Sequence, residues 1–273
     1  MKTRPSFPAR LAPIECAPGA QGVRPGAPHV DALLRAGRHV RGAEAKPGRT
    51  AVPAPSRPDF SAVRRDMVGR LSRGGIADAA VLAALGSVER HRFVDSALHG
   101  QAYQETSLPI GQGQTISKPT VVARMIELLR AGAAGRLGRV LEIGTGCGYQ
   151  AAVLSLLADE VYSVERLRGL HERARENLRT LRLPNVHLLF GDGMVGYAKG
   201  APYAGIIAAA GGNEVPAAWT GQLAIGGRLV APVAGLGGAG TGQAIVVIER
   251  TRQGLQQSLH EPVHFVPLKS GVA

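Results

Sequence analysis

Between Arg139 and Ala210 the chain alternates short apolar runs with amphipathic ones, and this rhythm restricts the fold more than any other feature. The runs "RVLEIG", "EVYSVE", "VHLLFGD" and "AGIIAAA" have the length and apolar content of buried strands. The segments "YQAAVLSLLA" and "LRGLHERARENLRTL", set between the first three, read as helices. Strands joined by helices of this length return to one sheet through right-handed crossovers, which makes them parallel and covered on both faces. Further on, "GGRLVAPV" and "QAIVVIER", joined by a glycine-rich loop from Gly235 to Gly242, are expected to close the sheet as an antiparallel pair. The predicted class is α/β, a doubly wound, mostly parallel sheet of Rossmann-like type with an antiparallel end.

Helices are expected ahead of that sheet. "FSAVRRDMVGRLSRGGI" places Val63, Met67, Val68 and Leu71 at helical spacing, and "DAAVLAALGSVER" does the same for Val81, Leu82, Leu85 and Val88. Asp78 has the identity and position of an N-cap for the second. A third, "TVVARMIELLRAG", groups Val121, Val122, Met125, Ile126 and Leu129 and stops at Gly132.

Residues 1–58 are of another kind. Ten lysines and arginines there face only Glu15, Asp31 and Glu44, and 10 of the 18 prolines fall in the segment. With no sustained period to bury, it is expected to be a disordered basic extension, leaving 59–273 as the folded domain. A transit peptide, a nonspecific tether to an anionic surface and no role at all stay open on composition. The net charge of +12 is concentrated there, and aromatic residues make up 4% of the chain, so nothing supports base stacking on nucleic acid. No apolar run reaches the 18 or so residues of a membrane span and no secretory signal is visible, so a cytoplasmic, monomeric protein is expected. Cys16 and Cys147 lie in unrelated settings, and the histidines show no metal spacing.

The densest chemical signal is "VLEIGTGCGYQ". A dinucleotide fingerprint built on Gly144 and Gly146 needs a third glycine at position 149, which is Tyr149, so a hydride-transfer site is excluded. Alternate glycines at Gly144, Gly146 and Gly148, with Thr145 among them and Glu142 before them, fit a site for S-adenosyl-L-methionine. There the backbone must approach the amino-acid part of the cofactor closely. Glu165, at the end of the second strand, is placed to accept from a ribose diol. Asp192, at the end of the third, is placed to accept from an adenine amino group, with Gly193 leaving room for the ring.

A second signal is "LPIGQGQTISKPT". Ser117, just before Lys118 and Pro119, reads first as the N-cap of the third helix. The preceding "GQGQT" carries more backbone freedom and amide groups than a cap requires. Together with "VLEIGTGCGYQAAVLS", "VYSVER", "GDG", "GGRLVAPV" and the terminal "HFVPL", this stretch resembles the protein-L-isoaspartate O-methyltransferase family, from about Val63 to the C-terminus. The resemblance implies a class I methyltransferase using S-adenosyl-L-methionine and acting on isoaspartyl-containing proteins and peptides. It also implies a catalytic Ser117 in an acceptor loop formed by Gln114, Thr115, Ile116 and Ser117. The acceptor carboxylate, with an ordinary pKa of about 3.5, needs no general base. Placing one of its oxygens about 3 Å from the methyl group is the main task. The resemblance further implies that the ester closes to a succinimide. A methyltransferase with another acceptor and a catalytically weak cofactor-binding relative are the alternatives.

One departure stands out. Where the family usually has an aromatic residue, Asp and Ala, this chain has Tyr203, Ala204 and Gly205, and two glycines follow in "AAAGGNEVP". Weakened cofactor affinity is the expectation. Trp219 is expected in the core and Cys147 as a packing residue.

Overall fold

The computed structural model describes residues 59–236 and 242–273. The expected disordered extension at 1–58 and most of the loop expected at 235–242 lie outside the described residues. Strands β3 (Leu137–Ile143), β4 (Ala158–Glu165), β5 (Val186–Phe190) and β6 (Tyr203–Ala208) alternate with helices α4 (Tyr149–Ser155) and α5 (Arg168–Arg179). They build a seven-stranded sheet with β7 (Leu223–Ala234), β8 (Gln243–Thr251) and β9 (Gly254–Val263), in the order β5-β4-β3-β6-β7-β8-β9. The first five strands in that order pair in parallel, and the β7-β8 and β8-β9 pairs are antiparallel.

Both faces of the sheet are covered, and strand parity sorts the side chains between them. Val140, Ile207, Ile245 and Val247 enter one core with the N-terminal helices, whereas Leu141, Ile206, Val246 and Ile248 enter the other with Trp219 and Tyr203. Trp219 belongs to α6 (Ala217–Gln222), and its indole Nε1 donates to the Gly193 carbonyl at 2.8 Å.

The N-terminal helices α1 (Ser61–Arg73), α2 (Ala79–Ser87) and α3 (Pro119–Arg130) pack on the first face. Asp78 caps α2 by accepting from Ala80 and Val81 N–H, and its second oxygen accepts from Arg130 Nε at 2.9 Å. Glu127 of α3 accepts the Ala77 and Asp78 N–H groups at 2.6 and 3.0 Å, so α3 fixes where α2 begins. Between α2 and α3 the chain makes two short 3-10 turns and the hairpin β1 (Leu108–Gly111) and β2 (Gln114–Ile116). This hairpin corrects the reading of "GQGQT" as a loop: Gly111, Gln112 and Gly113 all take positive φ and turn the strand back on itself.

Candidate active site

The carboxyl ends of β3, β4 and β6 open on one side of the sheet, where open parallel sheets bind ligands. The turn from β3 into α4 forms the floor of a cleft there. Gly144 and Gly146 have φ values of +90° and +56°. A side chain is strained at either, and a Cβ at Gly146 would stand 3.1 Å from Ile110 Cδ1 of β1. The Gly146 N–H donates to Glu165 Oε2 at 2.8 Å, and the Leu167 N–H donates to Glu165 Oε1 at 2.9 Å. Each carboxylate oxygen keeps a further lone pair for a ligand hydroxyl.

The hairpin forms the facing wall. Gln114, Thr115, Ile116 and Ser117 all line the cleft, as do Gly144, Thr145, Gly146, Glu165 and Gly193. Ser117 also lines a second cavity with Lys118, Thr120, Arg124, Glu261 and His264. The two cavities therefore adjoin the same serine. In the second, Arg124 is held by Glu127 at 2.9 Å and Glu261 at 2.7 Å.

Three expected cofactor residues are adjacent to the lining of the cleft and not part of it. Glu142 is fully buried in β3, opposite Ser163 in the register with β4, and does not line the cleft. It accepts from Ser163 Oγ, which in turn sits 2.6 Å from Thr145 Oγ1. Its position supports the turn from beneath. Gly148 caps α4, and a Cβ there would meet Leu178 Cδ1 at 3.1 Å, so this glycine admits α5. Asp192 accepts Met194 N–H at 2.8 Å and Gly271 N–H at 2.6 Å, because the C-terminal segment crosses over it.

That segment was not legible as part of a site. Val266, Pro267, Leu268 and Lys269 roof the cleft, fixed by backbone bonds between Gly211 and both Val266 and Leu268. The two glycines after β6 have a packing reason: a Cβ at Gly211 would stand 2.6 Å from Gln243, and one at Gly212 2.9 Å from the Glu214 carbonyl.

The sequence profile described as protein-L-isoaspartate(D-aspartate) O-methyltransferase matches residues 62–273, well over half of the chain. The chain belongs to the protein-L-isoaspartate O-methyltransferase family. A curated relative of that name from Methylibium petroleiphilum is 54% identical over 269 residues, covering 98% of this chain and 96% of its own. Another, from Leptothrix cholodnii, is 57% identical over 217 residues, covering 79% and 76%. A solved structure described as a protein-L-isoaspartate O-methyltransferase superposes with a TM-score of 0.68 at 28% identity, covering 77% of this chain and 67% of that one. A Plasmodium falciparum structure described as a complex with S-adenosyl-L-homocysteine shares the fold at 22% identity, with a TM-score of 0.62 and coverage of 76% and 98%. S-adenosyl-L-methionine is thus the methyl donor that membership of the isoaspartate methyltransferase family brings. The strained glycine turn and the acidic Glu165 beside it fit such a group.

Two further expectations change within this family frame. The N-cap of α3 is Lys118, whose carbonyl accepts the Val122 N–H, and Ser117 makes no cap bond. Pro119 restrains the first turn instead, leaving the serine facing both cavities. Ala204 is the second residue of β6, and at about 3.3 Å per residue it stands about 16 Å from Ala209, where the cleft opens. Its departure from the family pattern lies at the amino end of the sheet, against Gly138, so it gives no ground for weakened cofactor affinity.

Burial pushes the Glu142 carboxyl up to about 8; the hydrogen bond from Ser163 and the nearby Gln150 amide oppose the rise and the charge of Glu165 adds to it. The folded chain therefore binds a proton near neutrality that the unfolded chain, at the ordinary value of 4.5, has released. Stability from this group is full below about pH 4.5 and is lost as the pH rises through about 8. Glu142→Gln mimics the protonated form, so its melting temperature should exceed the parent's more at about pH 8.5 than at about pH 5.5. A difference that does not change with pH would sink this account.

Proposed function

We propose that the chain transfers a methyl group from S-adenosyl-L-methionine to the α-carboxylate of L-isoaspartyl residues in proteins and peptides. The observation that carries this reading is the shared position of Ser117, on the cofactor cleft and on the second cavity at once. Gly146 and Glu165 would hold the cofactor at the glycine turn, and the second cavity would take the acceptor chain. When bound, the cofactor supplies an electrophilic methyl group and leaves as a neutral thioether, while a carboxylate oxygen gains the new carbon bond.

No proton moves in that displacement. The acceptor is already ionised at neutral pH, so the residues here bind and align rather than exchange protons. The Ser117 hydroxyl donates to the carboxylate oxygen that does not react, holding the other toward the cleft. Ile110 and Ile116, both buried, keep the junction weakly polar, which favours a step that cancels opposite charges. The ester then closes to a succinimide in the released product.

The same reading has the protein act in the cytoplasm as a monomer, through a domain of residues 59–273. Among the described residues no helix is long and apolar enough to cross a membrane.

The test is transfer of labelled methyl to an isoaspartyl peptide, with its aspartyl isomer as control. Base-labile label on the isoaspartyl peptide alone is the expected result. Ser117→Ala should lower kcat/KM about 10- to 100-fold, the loss of one hydrogen bond to a charged group. Affinity for S-adenosyl-L-homocysteine should stay within about threefold of the parent, because Ser117 adjoins the cofactor without holding it. Label on both isomers, or an unaffected Ser117→Ala, would overturn the assignment.

A further inference from the structure

Arg90 opens the first 3-10 turn after α2 and has no exposed surface. Its Nε donates to the Ala102 carbonyl at 2.7 Å and one terminal nitrogen donates to the Ser117 carbonyl, also at 2.7 Å. The guanidinium lies 4.9 Å from the centre of the Tyr149 ring. The other terminal nitrogen is buried without a partner among the described residues, as is the Tyr149 hydroxyl. Among the described residues Arg90 forms no ion pair.

A buried cation with no counter-charge is costly, and two carbonyl groups offset only part of that cost. Burial lowers the Arg90 pKa, and the neighbouring Tyr149, Cys147 and Glu105 act in the opposite direction. Arg90 lines neither cavity, but its bond to the Ser117 carbonyl places the charge directly behind the residue that lines both.

The geometry points to Arg90 as a positioning residue that anchors the Ser117 main chain and supplies the positive field attracting the acceptor's α-carboxylate. This deepens the acceptor assignment proposed above and rests on it. Two consequences separate the role from ordinary packing. Removing the charge should weaken a charged acceptor and spare its neutral isostere. Keeping the charge while losing the forked geometry should preserve part of that preference.

The experiment measures peptide affinity for the protein loaded with S-adenosyl-L-homocysteine, using one isoaspartyl peptide and its isoasparaginyl twin, in which the α-carboxylate is an uncharged amide. In the parent the charged peptide should bind at least about tenfold more tightly. In Arg90→Gln the ratio should fall below about threefold, and Arg90→Lys should lie between the two. Loosening of the fold would weaken both peptides together and leave the ratio unchanged; that result overturns the proposal. A ratio near one in the parent overturns it without any variant, whether or not Arg90→Gln folds. A parent that binds S-adenosyl-L-homocysteine but neither peptide overturns the acceptor assignment and this inference with it. Methylation by the parent with an unchanged ratio in Arg90→Gln overturns this inference alone.

Discussion

Glu165→Ala is expected to weaken binding of S-adenosyl-L-homocysteine by at least about a hundredfold, through the loss of charge-assisted hydrogen bonds worth about 1.5–3 kcal/mol each. The carboxylate is buried at the end of β4, where it accepts from Gly146 and Leu167 N–H. Alanine leaves those two donors without their partner. It also frees a turn whose Gly146 φ of +56° is otherwise held by the 2.8 Å contact. In the proposed complex it removes the acceptor for the ribose hydroxyls as well. Titration calorimetry measures the total, and a cofactor analogue lacking those hydroxyls separates the parts. The parent should lose affinity for that analogue, whereas Glu165→Ala should bind it and the normal ligand equally. Affinities within threefold of the parent's would mean that Glu165 only supports the turn.

Glu165 also marks the boundary of what the residues alone disclose. A strand that buries both faces has an apolar run and a defined end, and so β3, β4 and β6 and the acid closing β4 were legible, while β5, half-buried at the sheet edge, was legible from its apolar run "VHLLF". The edge strand β9 was not, since "GLQQSLHEPV" is exposed along most of its length and lacks the alternation that marks a half-buried strand. Asp192 stands where the strand end was expected to place it, and its carboxylate also ties down a distant segment of main chain. Sequence places a carboxylate at a strand end without saying which N–H group will reach it, and here Gly271 does, from 79 residues away. The roof formed by Val266–Lys269 is held by main-chain bonds, which leave no trace in side-chain pattern.

Ser117 and Arg90 show the same limit from opposite sides. The serine stood out because glycines and amides surround it, yet its expected cap bond is absent and its exposure to two cavities depends on Pro119 starting the helix. The arginine sits in "VERHRF" among other charged residues, a setting that reads as solvated surface. Only tertiary packing against Tyr149 and the Ser117 carbonyl turns it into a buried charge.

Trp219→Ala should lower the unfolding free energy by about 3–5 kcal/mol, the usual cost of removing a large buried aromatic side chain. That is a large fraction of the ~5–15 kcal/mol typical of folded domains, so the urea midpoint should move strongly downward. Trp219 fills the second core with Tyr203, Leu223 and Leu229, and only 1% of its surface is exposed. Its indole also reaches Gly193, where a Cβ would stand 2.6 Å from Ile143 Cγ2 and which lines the cleft. Packing and site geometry therefore meet in one side chain, and Trp219→Phe distinguishes them. Phenylalanine retains most of the apolar volume but removes one of the two donors to the Gly193 carbonyl, which keeps the Gly196 N–H at 3.0 Å, at a cost of about 0.5–1.5 kcal/mol for the lost hydrogen bond. If that hydrogen bond positions Gly193 against the cofactor, Trp219→Phe should raise the Kd for S-adenosyl-L-homocysteine beyond what its stability loss explains. The comparison is made well below the melting temperature, where both proteins are folded. An unchanged Kd beside a lowered urea midpoint would confine Trp219 to the core and leave Gly193 fixed by the Gly196 N–H and the packing of Ile143.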